Sequence, residues 1–332
     1  LVPRRTLVNL SLAAIGAVLL IVTVRGVGWS DVRTSVTAVG WWYLVIIGLG
    51  GTRFAARARA WQECAATTAF RFTRAFSATV AGDALGNLTP LGLLASEPAK
   101  VFLVNDRLST APAVASVAAE NAFYIASVLV MIGAGALTFF AVADLDPALR
   151  LSARVIVGAT LIGGLAAVWT LRRQPAILSH VARWAGGRVT HAVLAPERLI
   201  EIERLFYTVF RWPAARVARV AVWEAVFHMV AVLEVLLVLR LLPWGRGTTL
   251  ADAFILESTG RLIVVAFKFI PYRLGVDEAG SAVVARALSL DPALGVTLAL
   301  VRRIRVLFWN AVGLGLLAII RSDREALPPD QR

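Results

Sequence analysis

Two apolar stretches are broken at matching places by proline, glycine and charge, and no other feature constrains the fold of this chain as strongly. Residues 90–100 read Pro-Leu-Gly-Leu-Leu-Ala-Ser-Glu-Pro-Ala-Lys, and residues 271–281 read Pro-Tyr-Arg-Leu-Gly-Val-Asp-Glu-Ala-Gly-Ser. A shift of 181 places lays Pro90 on Pro271, Leu93 on Leu274 and Glu97 on Glu278. Polar Asn87 and Lys268 each stand three residues before their proline. In hydrocarbon, backbone groups freed by Pro and Gly must find partners inside the protein. A charge at that depth is costly unless it faces protein or a water-filled cavity. Broken segments at corresponding positions of two halves point to a transporter-type site.

The remainder of the chain supplies the membrane. Over 332 residues, 58% are hydrophobic and 17% charged, with a mean hydropathy of +0.75, too apolar for a soluble domain. The net charge of +13 comes largely from Arg near the ends of apolar runs, as positive-inside bias and anionic lipid require. No nucleic-acid partner is expected. A single cysteine, Cys64, excludes an internal disulfide and a Cys-based metal site. His180, His191 and His228 lack ligand spacing, and His228 reads as a packed, hydrogen-bonded residue. No nucleophile elbow, HExxH or phosphate loop is present, so neither a metal nor another cofactor is expected.

Six spans are expected, at 7–24, 39–58, 113–142, 155–171, 214–242 and 293–320. The first is too long for a signal-peptide core and reads as retained. Trp41, Trp42 and Tyr43 mark an interfacial belt, and Arg53, Arg57 and Arg59 close the second span on the cytoplasmic side. Broken segments 76–104 and 254–290 read as re-entrant helical hairpins. Residues 172–212 mix Arg183, Arg188, Arg198, Arg204 and Arg211 with Trp184, Phe206 and Phe210, as cytoplasmic amphipathic helices or a plain linker would. Three spans separate the hairpins, so they enter from opposite faces. The expected fold is an all-α polytopic membrane protein, about six transmembrane helices plus two re-entrant hairpins in an inverted repeat. The whole of 1–332 is one integral membrane domain, with repeat halves at about 39–142 and 214–320, joined by the connector 172–212. Both termini fall in the cytoplasm.

A half-helix aims its N-terminal N–H groups at the membrane interior, which makes an anion site unless a local carboxylate fills it. Glu97 and Asp277–Glu278 stand there, either as structural caps or as members of a substrate site. Ser96 or Glu97 is expected to cap the second half-helix, with Pro98 in its first turn. Carboxylates at that depth need countercharge, and Arg302, Arg303 and Arg305 of the last span are the candidates. Positions 302 and 305 share a helix face while 303 points elsewhere. Guanidinium forks suit phosphate and carboxylate alike. The candidate substrate-binding residues are Asn87, Glu97, Lys100, Glu120, Lys268, Glu278, Arg302 and Arg303, with no catalytic or metal-ligating residue among them.

Several short motifs carry a family resemblance: Asn87-Leu-Thr-Pro90, Glu97-Pro-Ala-Lys100, Ala115-Ser-Val-Ala-Ala-Glu120, Arg57-Ala-Arg59-Ala-Trp61, and residues 271–280 with Glu278 and Gly280. Together they resemble the flippase-like membrane family, which contains the transmembrane half of lysylphosphatidylglycerol synthases and to which hopanoid-associated proteins look related. Glu120-Asn121 departs from the family's acidic residue followed by Arg, and Ala95-Ser96-Glu97 from its Gly-Gly-Glu. The resemblance implies a bacterial inner-membrane protein that moves a polar-headed lipid between leaflets: an anionic phospholipid, a glycolipid or a hopanoid. With no aminoacyl-transfer domain after Arg332, translocation is expected over synthesis. A membrane-embedded lipid-modifying enzyme and a non-catalytic scaffold for lipid biosynthesis are the alternatives.

Overall fold

The structure, a computed structural model, describes residues 37–65, 67, 70–89, 92–143, 145–176, 180, 196–242, 245, 247–267 and 275–325. The expected span 7–24, Lys268, and residues 181–195 of the connector lie outside the described residues, as do Pro90 and Pro271.

Ten α-helices and one 3-10 turn carry the described chain. Helix α1 is Trp42–Ala65, and two shorter helices follow, α2 (Phe72–Leu88) and α3 (Leu93–Val104). Next come the long α4 (Thr110–Val142) and α5 (Pro147–Arg173). The connector holds α6 (Pro196–Tyr207) and a 3-10 turn at Thr208–Arg211. Then α7 (Ala214–Leu241), α8 (Leu250–Ala266), α9 (Val276–Ala287) and α10 (Pro292–Glu325) complete the set. The described residues contain no strand, so this is an all-α protein. Four helices, α4, α5, α7 and α10, are long and apolar enough to cross a bilayer.

Local chemistry sets the boundaries. Helix α2 stops at Leu88 because Thr89 precedes Pro90, and a residue before proline is driven out of the helical region; Thr89 is extended at φ −112°. Gly92, at φ +38°, starts α3 in a backbone region that side chains disfavour. Asp146 caps α5 by accepting from the N–H groups of Ala148 and Leu149, both at 2.9 Å, with Pro147 in the first turn. Thr249 and Asp252 form a reciprocal capping box on α8.

Helices α2 and α3 fold back on each other. At 17 and 12 residues, and ~1.5 Å of rise per residue, neither reaches across a ~30 Å hydrocarbon core. Gly82 and Gly86 let them approach: a Cβ on Gly82 would meet the Lys100 stem at 2.6 Å, and one on Gly86 would meet Ser96 Cβ at 3.0 Å. At the open end Arg74 reaches Asp106 at 2.9 Å, so the segment leaves where it entered. Helices α8 and α9 are also 17 and 12 residues long and pack together in the same manner.

The two sets interlock. Helix α1 lies on α7, α2 on α10, and α8 on α4. One shift of 178 places carries Gly135 to Gly313 and Val80 to Ser258. Gly135 abuts the Ser258 side chain and Gly313 abuts the Val80 backbone, so each long helix meets the opposite hairpin through a glycine. Helix α5 packs on α4 and turns Leu151, Val155, Leu161, Ile162 and Leu165 outward, as a lipid-facing helix can. Helix α6 also rests on α4. Its Tyr207 hydroxyl donates to the Pro175 carbonyl at 2.7 Å, and burial beside Glu203 raises the phenol above its ordinary range.

Two expectations are corrected. The second helix does not end at 58; α1 continues to Ala65, and Arg53 and Arg57 lie half-buried within it against carboxylates. Nor does Ser96 or Glu97 cap α3. That helix starts at Leu93, its N-cap is Gly92, and Pro98 sits inside the helix and not in its first turn.

Candidate functional site

The polar side chains that the bundle buries form several ion-paired groups, two of them built on α1 and the others between α10 and the neighbouring helices. Arg57 binds Glu120 of α4 through both arms of its fork, Nε to Oε1 at 2.7 Å and Nη2 to Oε2 at 2.8 Å. Its guanidinium lies 4.1 Å from the Tyr124 ring centroid. Beside this pair Asn121 donates to Glu97 of α3 at 2.8 Å, and Lys100 donates to both Glu97 oxygens at 3.1 Å. Lys100 is 4% exposed and Glu120 3%, so these charges are held by one another and not by water. A charge-assisted fork of this geometry is the stronger kind of ionic hydrogen bond.

One turn earlier on α1, Arg53 approaches Glu234 of α7 at 3.5 Å, and Arg305 of α10 pairs with the same carboxylate. Arg302 pairs with Glu257 of α8, which also accepts from Arg261 Nε at 2.8 Å. Arg303 turns the other way and pairs with Glu278 of α9. Thus 302 and 305 serve α8 and α7 while 303 serves α9, in keeping with the helix-face argument. Glu278 in addition accepts from the Gly275 N–H at 3.0 Å, so it caps its own helix and holds a neighbouring one. Nearby, Asn87 donates to Asp83 at 2.9 Å and to Asn310 of α10 at 3.2 Å, tying α2 to α10.

Of the eight candidate residues, seven fall within the described residues. Glu97, Lys100 and Glu120 join the first cluster, Arg302 pairs with Glu257, Arg303 and Glu278 form a separate pair on another face of α10, and Asn87 bridges to Asn310. Lys268 lies outside them. The recorded bonds of Glu97 and Glu278 stay within each one's own half, with no direct link between the two carboxylates. Sequence reasoning missed Arg53 and Arg57, read as positive-inside charge, and passed over Glu234, Glu257 and Arg261. With the span expected to end at 58 these arginines stood near its close, and only the continuation of the helix to Ala65 sets them well inside it, where an Arg needs a buried acid as partner.

A Ser-His-acid relay is not built here. Ser127 Oγ lies 2.9 Å from His228 Nε2, but Glu224 contacts the serine and not the imidazole, and His228 Nδ1 has no hydrogen-bond partner. Among the described residues no group of His, Cys, Asp and Glu is arranged to hold a metal ion.

Fold and site together define a multi-pass, all-α membrane protein with ion-paired groups between its helices. The chain belongs to the family described as the lysylphosphatidylglycerol synthase TM region, whose sequence profile matches residues 8–315. That places it among lipid-related membrane proteins. No curated protein and no solved structure matches the chain.

Proposed function

We propose that this protein moves a polar-headed lipid across the bacterial inner membrane, its hairpins entering from opposite faces as an inverted repeat and both termini lying in the cytoplasm. One observation carries the reading. Each hairpin's second helix is latched by a carboxylate to the span that follows it, Glu97 to Asn121 and Glu278 to Arg303. The two latches stand at matched positions, within one place of the same shift. A lipid phosphate has the shape to compete for the guanidinium forks of Arg302 and Arg303. Releasing one latch while the other holds frees one half to rock against its mate, the motion alternating access needs. Anionic phospholipid, glycolipid and hopanoid remain the substrate classes to be tried. A lipid-modifying enzyme would need a reactive group that the latches do not supply. A scaffold for lipid biosynthesis would have no use for carboxylates and guanidiniums buried at such cost.

The test is transport by the full chain in liposomes with labelled lipids of each class. Glu97→Gln and Glu278→Gln keep shape and hydrogen-bonding capacity while removing the carboxylate charge from each latch. Each is expected to slow transfer of the moved lipid by tenfold or more. Wild-type rates from both folded variants would make the carboxylates structural only and end this reading.

A further inference from the structure

We infer that the connector ends in a strap, Trp212 with Arg216, which locks the two halves of the bundle together where α1 stops and α7 starts. That end of the bundle opens only when the strap lets go. The purpose of the strap rests on the transport reading, since halves that rock must part at one end at a time. The lock itself stands on its contacts.

The last four carbonyls of a helix have no partner within it, and α1 ends at Ala65. Arg216, in the first turn of α7, supplies partners from the other half. Its Nε donates to the Glu63 carbonyl at 2.8 Å and its Nη2 to the Cys64 carbonyl at 3.1 Å. A cation there also meets the negative end of the α1 dipole. The Arg216 guanidinium carbon lies 3.4 Å from the Trp212 ring centroid, so the fork is held at its edge by carbonyls and at its face by an indole. One turn on, Arg219 reaches Glu63 Oε2 at 3.0 Å, but its side chain is 56% exposed, and such a pair adds little. Arg216 carries the grip.

Trp212 extends that grip to a third helix. Its ring stacks on Phe123 of α4, with centroids 6.4 Å apart and planes 13° from parallel. Val209 of the 3-10 turn is buried in one apolar cluster with Ala60 and Cys64 of α1, Ala119 of α4 and Val220 of α7. The connector therefore ends as a wedge among three helices, two from the first half and one from the second. Phe123 is also the near end of an apolar groove of ≈ 760 Å³ between α4 and α7, along which Val130 and Met229 are exposed. Parting α1 from α7 at this end breaks the Arg216 bonds and draws Trp212 off Phe123 in one motion. A reporter is built in: Cys64, the single cysteine of the chain, is 6% exposed and shares a cavity of ≈ 150 Å³ with Trp212 and Arg216.

The test follows the reaction of Cys64 with N-ethylmaleimide by mass spectrometry, using the full chain in phosphatidylcholine vesicles. A buried thiol reacts through its opened population, so a weaker strap means a faster reaction. Arg216→Met keeps the apolar stem, removes the donors, and is expected to raise the rate about tenfold, the factor one charged hydrogen bond gives. Arg219→Met should stay within about twofold of wild type, as an exposed pair predicts. An Arg216→Met chain that reacts at the wild-type rate, or an Arg219→Met chain that matches a tenfold rise, overturns the strap. General loosening is separated with Ser281→Cys, buried at 5% exposure in α9, in a Cys64→Ala chain. Arg216→Met should leave its rate unchanged, and equal acceleration at both cysteines overturns the strap as well. For the gating role, Thr208→Cys, on the same cavity, is joined to Cys64 by a reducible methanethiosulfonate cross-linker. The link should stop lipid transfer in liposomes and reduction should restore it; transfer that continues while linked overturns the gating role. A wild-type chain that moves no lipid, with Cys64 rates as expected, ends the transport reading and upholds the strap.

Discussion

At the scale of the residue, the energetic weight falls on guanidiniums that have left water for carboxylates. Desolvating two charges costs several kcal/mol each, and mutual attraction recovers this only with good geometry. Arg57 has that geometry, with both arms on Glu120 and its face on Tyr124. Arg57→Ala is expected to destabilise the protein by about 3–5 kcal/mol, because Glu120 is left buried and alone. Arg57→Met combined with Glu120→Met should cost less than Arg57→Met by itself. Unfolding titrations in detergent give both values, and additive losses in the double variant would mean the two side chains do not act as a pair. Lysine at position 57 restores charge without the fork and should recover only part of the loss.

At the scale of the element, glycine decides how closely hairpins and spans approach. A Cβ at position 313 would meet the Val80 carbonyl oxygen at 2.6 Å, and backbone cannot swing aside. Gly313→Ala is therefore expected to cost about 1–3 kcal/mol, the range for overpacking. Gly135 faces the Ser258 hydroxyl instead, and a side chain can be trimmed. Gly135→Ala should be destabilising, and Ser258→Gly added to it should restore much of the loss. A double variant no more stable than Gly135→Ala, by the same titration, would show that the clash lies elsewhere. These glycines were not legible as contacts in the sequence. A glycine in an apolar helix reads equally as a packing point or as a neutral position until its neighbour is known.

At the scale of the whole molecule, the question is which faces the hairpins enter from. The Arg74–Asp106 ion pair brings the two ends of the first hairpin together. Three long helices, α4, α5 and α7, separate it from the second, and an odd number of crossings reverses the face of entry. Cysteines at Arg71 and Arg107 should react with an impermeant thiol reagent from one side of sealed vesicles, in a background with Cys64 replaced. Cysteines at Thr249 and Ser289, both exposed, should react from the other side. Reaction of all four from one side would remove the inverted arrangement and the alternating motion built on it.

Apolar content, the matched Pro/Gly/Glu breaks and run lengths made the helical membrane class and the two hairpins legible from the sequence, since both follow from local rules: hydrocarbon demands internal backbone bonding, and proline ends a helix at the residue before it. The same rules gave Glu97, Glu278, Arg302 and Arg303 as charges needing partners. Which partner each took was decided only by the tertiary structure. Glu257 and Arg302, or Glu234 and Arg305, are far apart along the chain and meet because α7, α8 and α10 pack together. Pairing energy depends on distance and shared burial, and a one-dimensional pattern records neither. For that reason Arg53 and Arg57 looked like the charged end of a span, while in the folded protein they sit between helices as its inner countercharge.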